Sequence, residues 1–230
     1  MQISGLQKLT LLDFPGTMAC IVFTKGCNFR CPYCHNASLV LPCETPEIKE
    51  EELMSFLKKR QGILEGVVIT GGEPLLHSDI KELLFKIKEL GYKIKLDTNG
   101  SSPKLLKELV SLNLLSYVAM DIKNSKENYR KAIGTDKISL ELIEESKDFL
   151  LEGNVPYEFR TTLVKGIHEK EDIISLSKWI KGAQHLYLQQ FKDSGDLIAP
   201  ENLEAFSEEE MKEFAEAANP HVKSVSLRGL

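Results

Sequence analysis

Three cysteines fall within eight residues: Cys27, Cys31 and Cys34, in the run Lys25-Gly26-Cys27-Asn28-Phe29-Arg30-Cys31-Pro32-Tyr33-Cys34-His35-Asn36. Thiolates are the preferred protein ligands of iron–sulfur clusters. Three of them on one short loop can hold three irons of a cubane. No fourth cysteine stands at a comparable spacing. One iron then stays open to bind a substrate or cofactor, which points to a cluster that does chemistry. An electron-carrying ferredoxin would normally give all four irons a cysteine. Zinc is the other alternative, because Cys3His is a common zinc set. His35 directly follows Cys34, however, and adjacent residues rarely reach one tetrahedral ion together. No second Cys/His pair lies at zinc-finger spacing.

The remaining cysteines read as structural. Cys20 lies in the apolar run Met18-Ala19-Cys20-Ile21-Val22-Phe23, and Cys43 follows Pro42 in a loop without a close cysteine partner. Free cysteines often serve as small buried hydrophobes. Five cysteines, an odd number and mostly clustered, do not suggest a disulfide framework. The N-terminus has no basic region followed by a long apolar one, and no apolar run approaches a membrane span. The expectation is a cytoplasmic protein, where a reducing medium suits free thiols and an oxygen-sensitive cluster. The net charge of −5 gives no overall bias towards nucleic acid or an anionic membrane. His77, His168, His185 and His221 show no ligand spacing and are expected to be structural or surface residues.

These cysteines must be positioned by a scaffold, and the pattern around them is regular. Apolar runs at Met18–Thr24, Val67–Thr70, Lys93–Thr98, Tyr117–Ile122, Tyr157–Val164 and His185–Phe191 read as buried strands. Helical patterns alternate with them over Glu47–Gln61, from Ser78 to Leu90, from Pro103 to about Asn113, over Ser139–Leu151, Glu171–Lys181 and Ser207–Ala218. A short charged helix precedes Ser139, and Ser224–Arg228 reads as a terminal edge strand. Strands alternating with helices predict a parallel sheet with right-handed crossovers. Six such units are too few for a closed eight-fold barrel. The expected fold is therefore α/β, a partial (β/α)6 barrel of parallel strands open on one side. Residues 1–230 read as a single domain, with no linker to divide them.

The polar signals fall at the C-terminal ends of those strands, where parallel barrels build their sites. The cysteine loop follows the first expected strand, Gly71-Gly72-Glu73-Pro74 the second, and Asp97-Thr98-Asn99-Gly100 the third. Asp121 and Lys123 end the fourth, Arg160 lies within the fifth, and Gln190 lies near the end of the sixth.

The Cys-x3-Cys-x2-Cys loop with Tyr33 before its last cysteine resembles the signature of the radical S-adenosylmethionine enzymes, and the Gly71-Gly72-Glu73-Pro74 turn supports it. Asp13-Phe14-Pro15-Gly16, the run from Phe23 to Asn36, Asp97-Thr98-Asn99-Gly100 and Asp121-Ile122-Lys123 look like the glycyl-radical-enzyme activating proteins. Within that branch the similarity is greatest to activases of anaerobic ribonucleoside-triphosphate reductase.

That resemblance implies a 4Fe-4S cluster on Cys27, Cys31 and Cys34, with S-adenosylmethionine on the open iron. An electron from a donor such as flavodoxin or ferredoxin would cleave the sulfonium to methionine and a 5′-deoxyadenosyl radical. The radical would remove hydrogen from a glycine of the partner enzyme. Gly71 and Gly72 would let backbone approach the cofactor, and Glu73 would assist its amino group. Asp97 and Asp121, joined by Thr98, would hold a monovalent cation, and Asn99 of the same turn would help to bind the cofactor. Lys123 and Arg160 would pair with the methionine carboxylate, and Tyr33 and His35 would line the adenine side. Gln190 stands where pyruvate formate-lyase activases carry a histidine against the ribose, which argues against that partner. An activase of the pyruvate formate-lyase type and a radical enzyme acting on a small molecule are the alternatives.

Overall fold

The computed structural model describes residues 1–42, 47–193 and 195–230. An edge strand absent from the sequence reading opens the chain: β1 (Ile3–Thr10) pairs antiparallel with β2 (Ala19–Thr24). Its middle is exposed at Gln7, Lys8 and Leu9, so it lacks a sustained apolar alternation. The expected strands follow as β2, β3 (Gly66–Gly71), β4 (Lys93–Thr98), β5 (Tyr117–Asp121), β6 (Tyr157–Leu163) and β7 (Leu186–Gln190), and the terminal strand is β8 (Val225–Arg228). All eight form one sheet in chain order, parallel from β2 to β8. Among the described residues β8 does not pair with β1, so the barrel stays open there. The sheet thus carries two strands more than the six expected units.

The helices are α1 (Ala37–Val40), α2 (Glu50–Arg60), α3 (Ile80–Glu89), α4 (Pro103–Ser111), α5 (Tyr129–Ile133), α6 (Leu140–Leu151), α7 (Lys170–Trp179) and α8 (Glu208–Ala218). Local chemistry sets several of their ends. Pro103 opens α4, where a missing N–H is harmless. Ser139 accepts from the Glu141 N–H at the start of α6, and Ser207 with Glu210 forms a capping box at α8. The cap of α3 is Asp79 rather than the expected Ser78.

Side chains alternate across the strands and divide the apolar residues into two cores. Cys20 and Val22 of β2 face the large core shared with the helices, whereas Ala19 and Ile21 join Phe14 and Val68 inside the barrel. Phe14, from the loop before β2, packs against Tyr117 and fills the barrel end away from the cysteines. Cys20 is fully buried, as the sequence predicts, and Cys43 lies outside the described residues.

Above that plug the barrel interior is charged. Glu158 of β6 has no exposure; its carboxylate accepts from both terminal nitrogens of Arg228 at 3.1 and 3.2 Å and from the Tyr117 hydroxyl at 3.2 Å. The Arg228 guanidinium also stacks 3.4 Å from the centre of the Tyr187 ring. A buried carboxylate is tolerable only when its lone pairs are satisfied this way. The pair pins the last strand to the interior and stops β8 fraying from the open edge.

Candidate active site

The cysteine loop leaves β2 and is held by backbone contacts on three sides. On one side it meets the turn after β3. Gly72 N–H donates to the Thr24 carbonyl at 2.8 Å and Glu73 N–H to the Gly26 carbonyl at 2.7 Å. A Cβ on Gly72 would stand 1.9 Å from the Gly26 oxygen, and one on Gly71 2.3 Å from the Thr24 nitrogen. The two glycines therefore serve the close approach of strand and cysteine loop, and both also line the cavity. Gly72→Ala should destabilise the protein by about 1–3 kcal/mol, the usual range for overpacking. It should also lower iron uptake, and denaturant titration alongside iron analysis of the purified variant checks both. Stability and iron equal to wild type would show that the loop can shift without consequence.

On a second side, Arg30 N–H donates to the Ile133 carbonyl at the end of α5 at 2.8 Å. On the third, the segment after β7 crosses the loop. Ala199 N–H donates to the Pro32 carbonyl at 3.0 Å, and the Asp196 carboxylate accepts from the Ser38 hydroxyl at 2.8 Å. Sequence reasoning missed these braces, because they join segments about 160 positions apart that carry no shared pattern.

Cys27, Cys31 and Cys34 line one cavity of about 240 Å³ at the barrel mouth. Burial pushes the Cys27 thiol up to about 11 and the Cys31 thiol up to about 12. Such sulfurs become thiolates when a bound cation supplies the missing charge, since coordination deprotonates a thiol. Among the described residues no three His, Cys, Asp or Glu side chains form a group suited to a single metal ion. A cubane makes no such demand, because each thiolate takes a different iron.

The same cavity is lined by Tyr33, His35, Gly71, Gly72, Asp97, Thr98, Asn99, Asp121, Lys123 and Arg160, all singled out from sequence. Tyr33 is buried, with its ring edge-on to His168 at 6.0 Å. His168 proves structural, as expected: its Nε2 meets the Lys123 carbonyl at 2.8 Å and its Nδ1 accepts from Val164 N–H at 3.2 Å. His35 lies against Phe191 at 5.6 Å, and burial, reinforced by Lys123, lowers its basicity.

The charged groups form one chain across three strands. Arg160 Nη1 donates to Asp97 at 2.9 Å and its Nε to Asp121 at 3.0 Å. Lys95 pairs with Asp97 at 2.5 Å and Lys123 with Asp121 at 2.9 Å. Burial alone would raise both aspartates, but the adjacent cations outweigh it: Asp97 is held below its ordinary value and Asp121 falls to about 2. Burial opposes charge on Lys123 as well, and the attraction of Asp121 overrides it and holds Lys123 well above its usual value. The four charged side chains that line the cavity, Asp97, Asp121, Lys123 and Arg160, balance one another, and the buried Lys95 adds a further cation beside Asp97. Both carboxylates expected to hold a monovalent cation are thus already neutralised by side chains. The Thr98 hydroxyl expected to assist them donates to Glu73 at 2.7 Å instead.

Two residues are placed differently from expectation. Glu73 does not line the cavity; it has no exposure, and its carboxylate accepts from Thr98 Oγ1, Asn99 N–H and Leu75 N–H. Burial raises it to about 7 despite those bonds. Its role is to shape the turn after β4 rather than to face a ligand. Gln190 also points away, its Nε2 donating to the Phe206 carbonyl. The period of two along β7 puts the preceding residue, Gln189, on the cavity side. Thr162, its register partner on β6, lines the cavity too. Neither had been singled out; the two-residue step from Arg160 to Thr162 along β6 was a signal that could have found the second.

Residues 21–179 match the Radical SAM superfamily. The chain belongs to that superfamily. It is 32% identical to a protein of Methanocaldococcus jannaschii assigned to the glycyl-radical enzyme activating enzymes, over 98% of this chain and 95% of that one. It is 27% identical to the pyruvate formate-lyase-activating enzyme of Staphylococcus epidermidis, over 92% of each chain. Among solved structures, a domain of pyruvate-formate lyase-activating enzyme from Bacteroides vulgatus superposes with TM-score 0.55 at 19% identity, covering 71% of this chain and 99% of that one. Streptococcus suis SuiB bound to S-adenosylmethionine superposes with TM-score 0.67 at 14% identity, covering 91% and 52%. These two likenesses bear on the fold alone. The cofactors of the superfamily are a 4Fe-4S cluster and S-adenosylmethionine, and the donor set here suits them: three sulfurs for three irons, and the cations Lys123 and Arg160 in the wall for a carboxylate.

Proposed function

We propose that this chain is an activase that installs a radical on a glycine of a partner enzyme. The observation that carries this reading is the cysteine loop at an open barrel mouth, in a chain similar over its whole length to proteins assigned as such activases. When bound, the cluster and S-adenosylmethionine supply a 5′-deoxyadenosyl radical that can abstract hydrogen from glycine.

The chain's own residues do the rest. Cys27, Cys31 and Cys34 hold the cluster and leave one iron without a protein ligand. Lys123 and Arg160 present the positive charge that receives the cofactor's carboxylate, while Asp97 and Asp121 keep those two side chains oriented. Tyr33 and His35 wall the side beneath the cysteine loop, and Thr162 and Gln189 close the side towards β7. The cavity is set into the barrel mouth, so a target glycine must enter on a flexible loop. A large partner exposing such a loop is therefore expected, with a one-electron donor such as flavodoxin or ferredoxin.

Anaerobic ribonucleoside-triphosphate reductase is the partner we infer, from the chain's similarity, within the activating proteins, to the activases of that reductase. A pyruvate formate-lyase-type partner is the second reading. The Staphylococcus relative favours it, and the outward turn of Gln190 removes an argument against it. Cluster-loaded protein, S-adenosylmethionine and reductant, mixed anaerobically with each candidate, decide the matter. Paramagnetic resonance should show a glycyl doublet on the reductase. A doublet on the lyase alone would reassign the partner, and no 5′-deoxyadenosine from reduced protein would overturn the activase reading.

A further inference from the structure

Cys27 differs from the other two cysteines of the loop in what surrounds its sulfur. The Phe29 N–H donates to Cys27 Sγ at 3.4 Å, and Asn99 Nδ2 donates to it at 3.8 Å from the turn after β4. Neither Cys31 nor Cys34 receives such a bond at its sulfur among the described residues.

The Asn99 carboxamide is fixed in this orientation. Its Oδ1 accepts from Ser101 N–H at 2.9 Å, and a backbone donor admits only the oxygen there. Nδ2 must then face the cysteine. Nδ2 also donates to Asn28 Oδ1 at 2.9 Å, and Asn28 Nδ2 donates to Ser101 Oγ at 2.8 Å, which closes a ring between the two loops. From behind, Glu73 accepts from Asn99 N–H at 2.6 Å. Gly100, at φ +78°, lets the turn come in: a Cβ there would meet the Met120 methyl at 2.2 Å. Asn99 is only 6% exposed, so little water competes for its amide.

We propose that Asn99 is a positioning residue acting through Cys27, and that its N–H sets the reduction potential of the cluster held there. The inference rests on Cys27 being a cluster ligand. Reduction adds an electron whose charge is shared with the cysteine sulfurs. A donor aimed at one sulfur stabilises the more negative state and so raises the potential. The effect is larger in a buried site than in water.

The test is an anaerobic redox titration of reconstituted full-length protein, followed by paramagnetic resonance of the reduced cluster, with iron analysis in parallel. Asn99→Leu removes the donor without adding charge, and Asn99→Asp removes it while keeping the acceptor for Ser101 N–H. Both should load iron as wild type does and titrate more negatively. At a fixed applied potential the reduced-to-oxidised ratio should fall about tenfold, equivalent to about 59 mV for one electron. Ser101→Ala keeps the backbone bond that orients Asn99 and should titrate as wild type.

An unchanged potential in fully loaded Asn99→Leu would overturn the proposal. Loss of iron from both Asn99 variants would overturn it too, since the amide would then be needed for holding the cluster rather than tuning it. A shift in Ser101→Ala as large as that in Asn99→Leu would assign the effect to the shape of the turn. Cys27→Ala, run alongside, separates the two readings: if it kept its iron, the ligand assignment would fail whatever Asn99 did.

Discussion

Cys31→Ala should leave a folded chain that has lost most of its iron and cannot cleave S-adenosylmethionine. The loop offers three thiols for three irons, and no fourth cysteine stands at a comparable spacing. Cys31 is also the most buried of the three. Cys27→Ala and Cys34→Ala should behave alike. Cys20→Ala is the contrasting case. Cys20 faces the helix-side core, and its removal should cost about 1 kcal/mol of packing while iron content stays unchanged. Cys43→Ala should likewise keep its iron. Iron and sulfide analysis after anaerobic reconstitution reads every variant. An iron-loaded Cys31→Ala beside an iron-free Cys20→Ala would show that the ligand set is wrong.

Arg160→Met should be the most damaging substitution away from the cysteines. It removes the guanidinium that bridges Asp97 and Asp121, leaving two largely buried carboxylates with one lysine each. Removing one partner of such a network typically costs about 3–5 kcal/mol, because the remaining charge stays buried. Urea denaturation of the iron-free protein should show that loss at neutral pH. The pH dependence gives a second reading. In the wild type Asp121 is depressed to about 2, so its stabilising contribution is complete above the unfolded carboxylate range and disappears as pH falls through about 2. In the variant both carboxylates should rise, and protonation should relieve them. The stability gap should therefore narrow as the medium is acidified from neutrality. A gap that widened, or a loss below about 1 kcal/mol, would mean that the two lysines suffice.

This network also bears on the cofactor. Lys123 and Arg160 are its two cations that line the cavity, where a carboxylate would meet them. An additional cation would have to compete with Lys95 and Lys123 for carboxylates that already hold them at 2.5 and 2.9 Å.

Much of this was legible in the sequence, for reasons that differ from residue to residue. Buried parallel strands such as Val67–Thr70 announce themselves as short apolar runs, because both faces are covered. The antiparallel edge strand β1 did not, because solvent faces its middle and its glycine interrupts the alternation. The grouping of Cys27, Cys31 and Cys34 in one cavity was found by spacing alone, since residues on one loop are neighbours in sequence as well as in space. Asp97, Asp121 and Arg160 were found by place, at or near the ends of strands that topology brings side by side.

What the sequence by itself determined was therefore local: which thiols share a loop, which runs become strands, and which ends carry charge. The tertiary structure decided orientation and partnership. Glu73 and Gln190 were assigned to the cofactor by position; hydrogen bonds to Leu75, Thr98 and Asn99 hold Glu73 away from the cavity, and strand alternation turned Gln190 away while bringing Gln189 to the mouth. Arg160 was expected to meet a ligand and was found bridging two aspartates on neighbouring strands. Asn99 met Cys27 across 72 positions of chain. The physical reason is common to all of them. A motif specifies residue types along the chain, whereas a hydrogen bond or ion pair depends on a few ångströms and on which face of a strand a side chain leaves, and only the folded register supplies those.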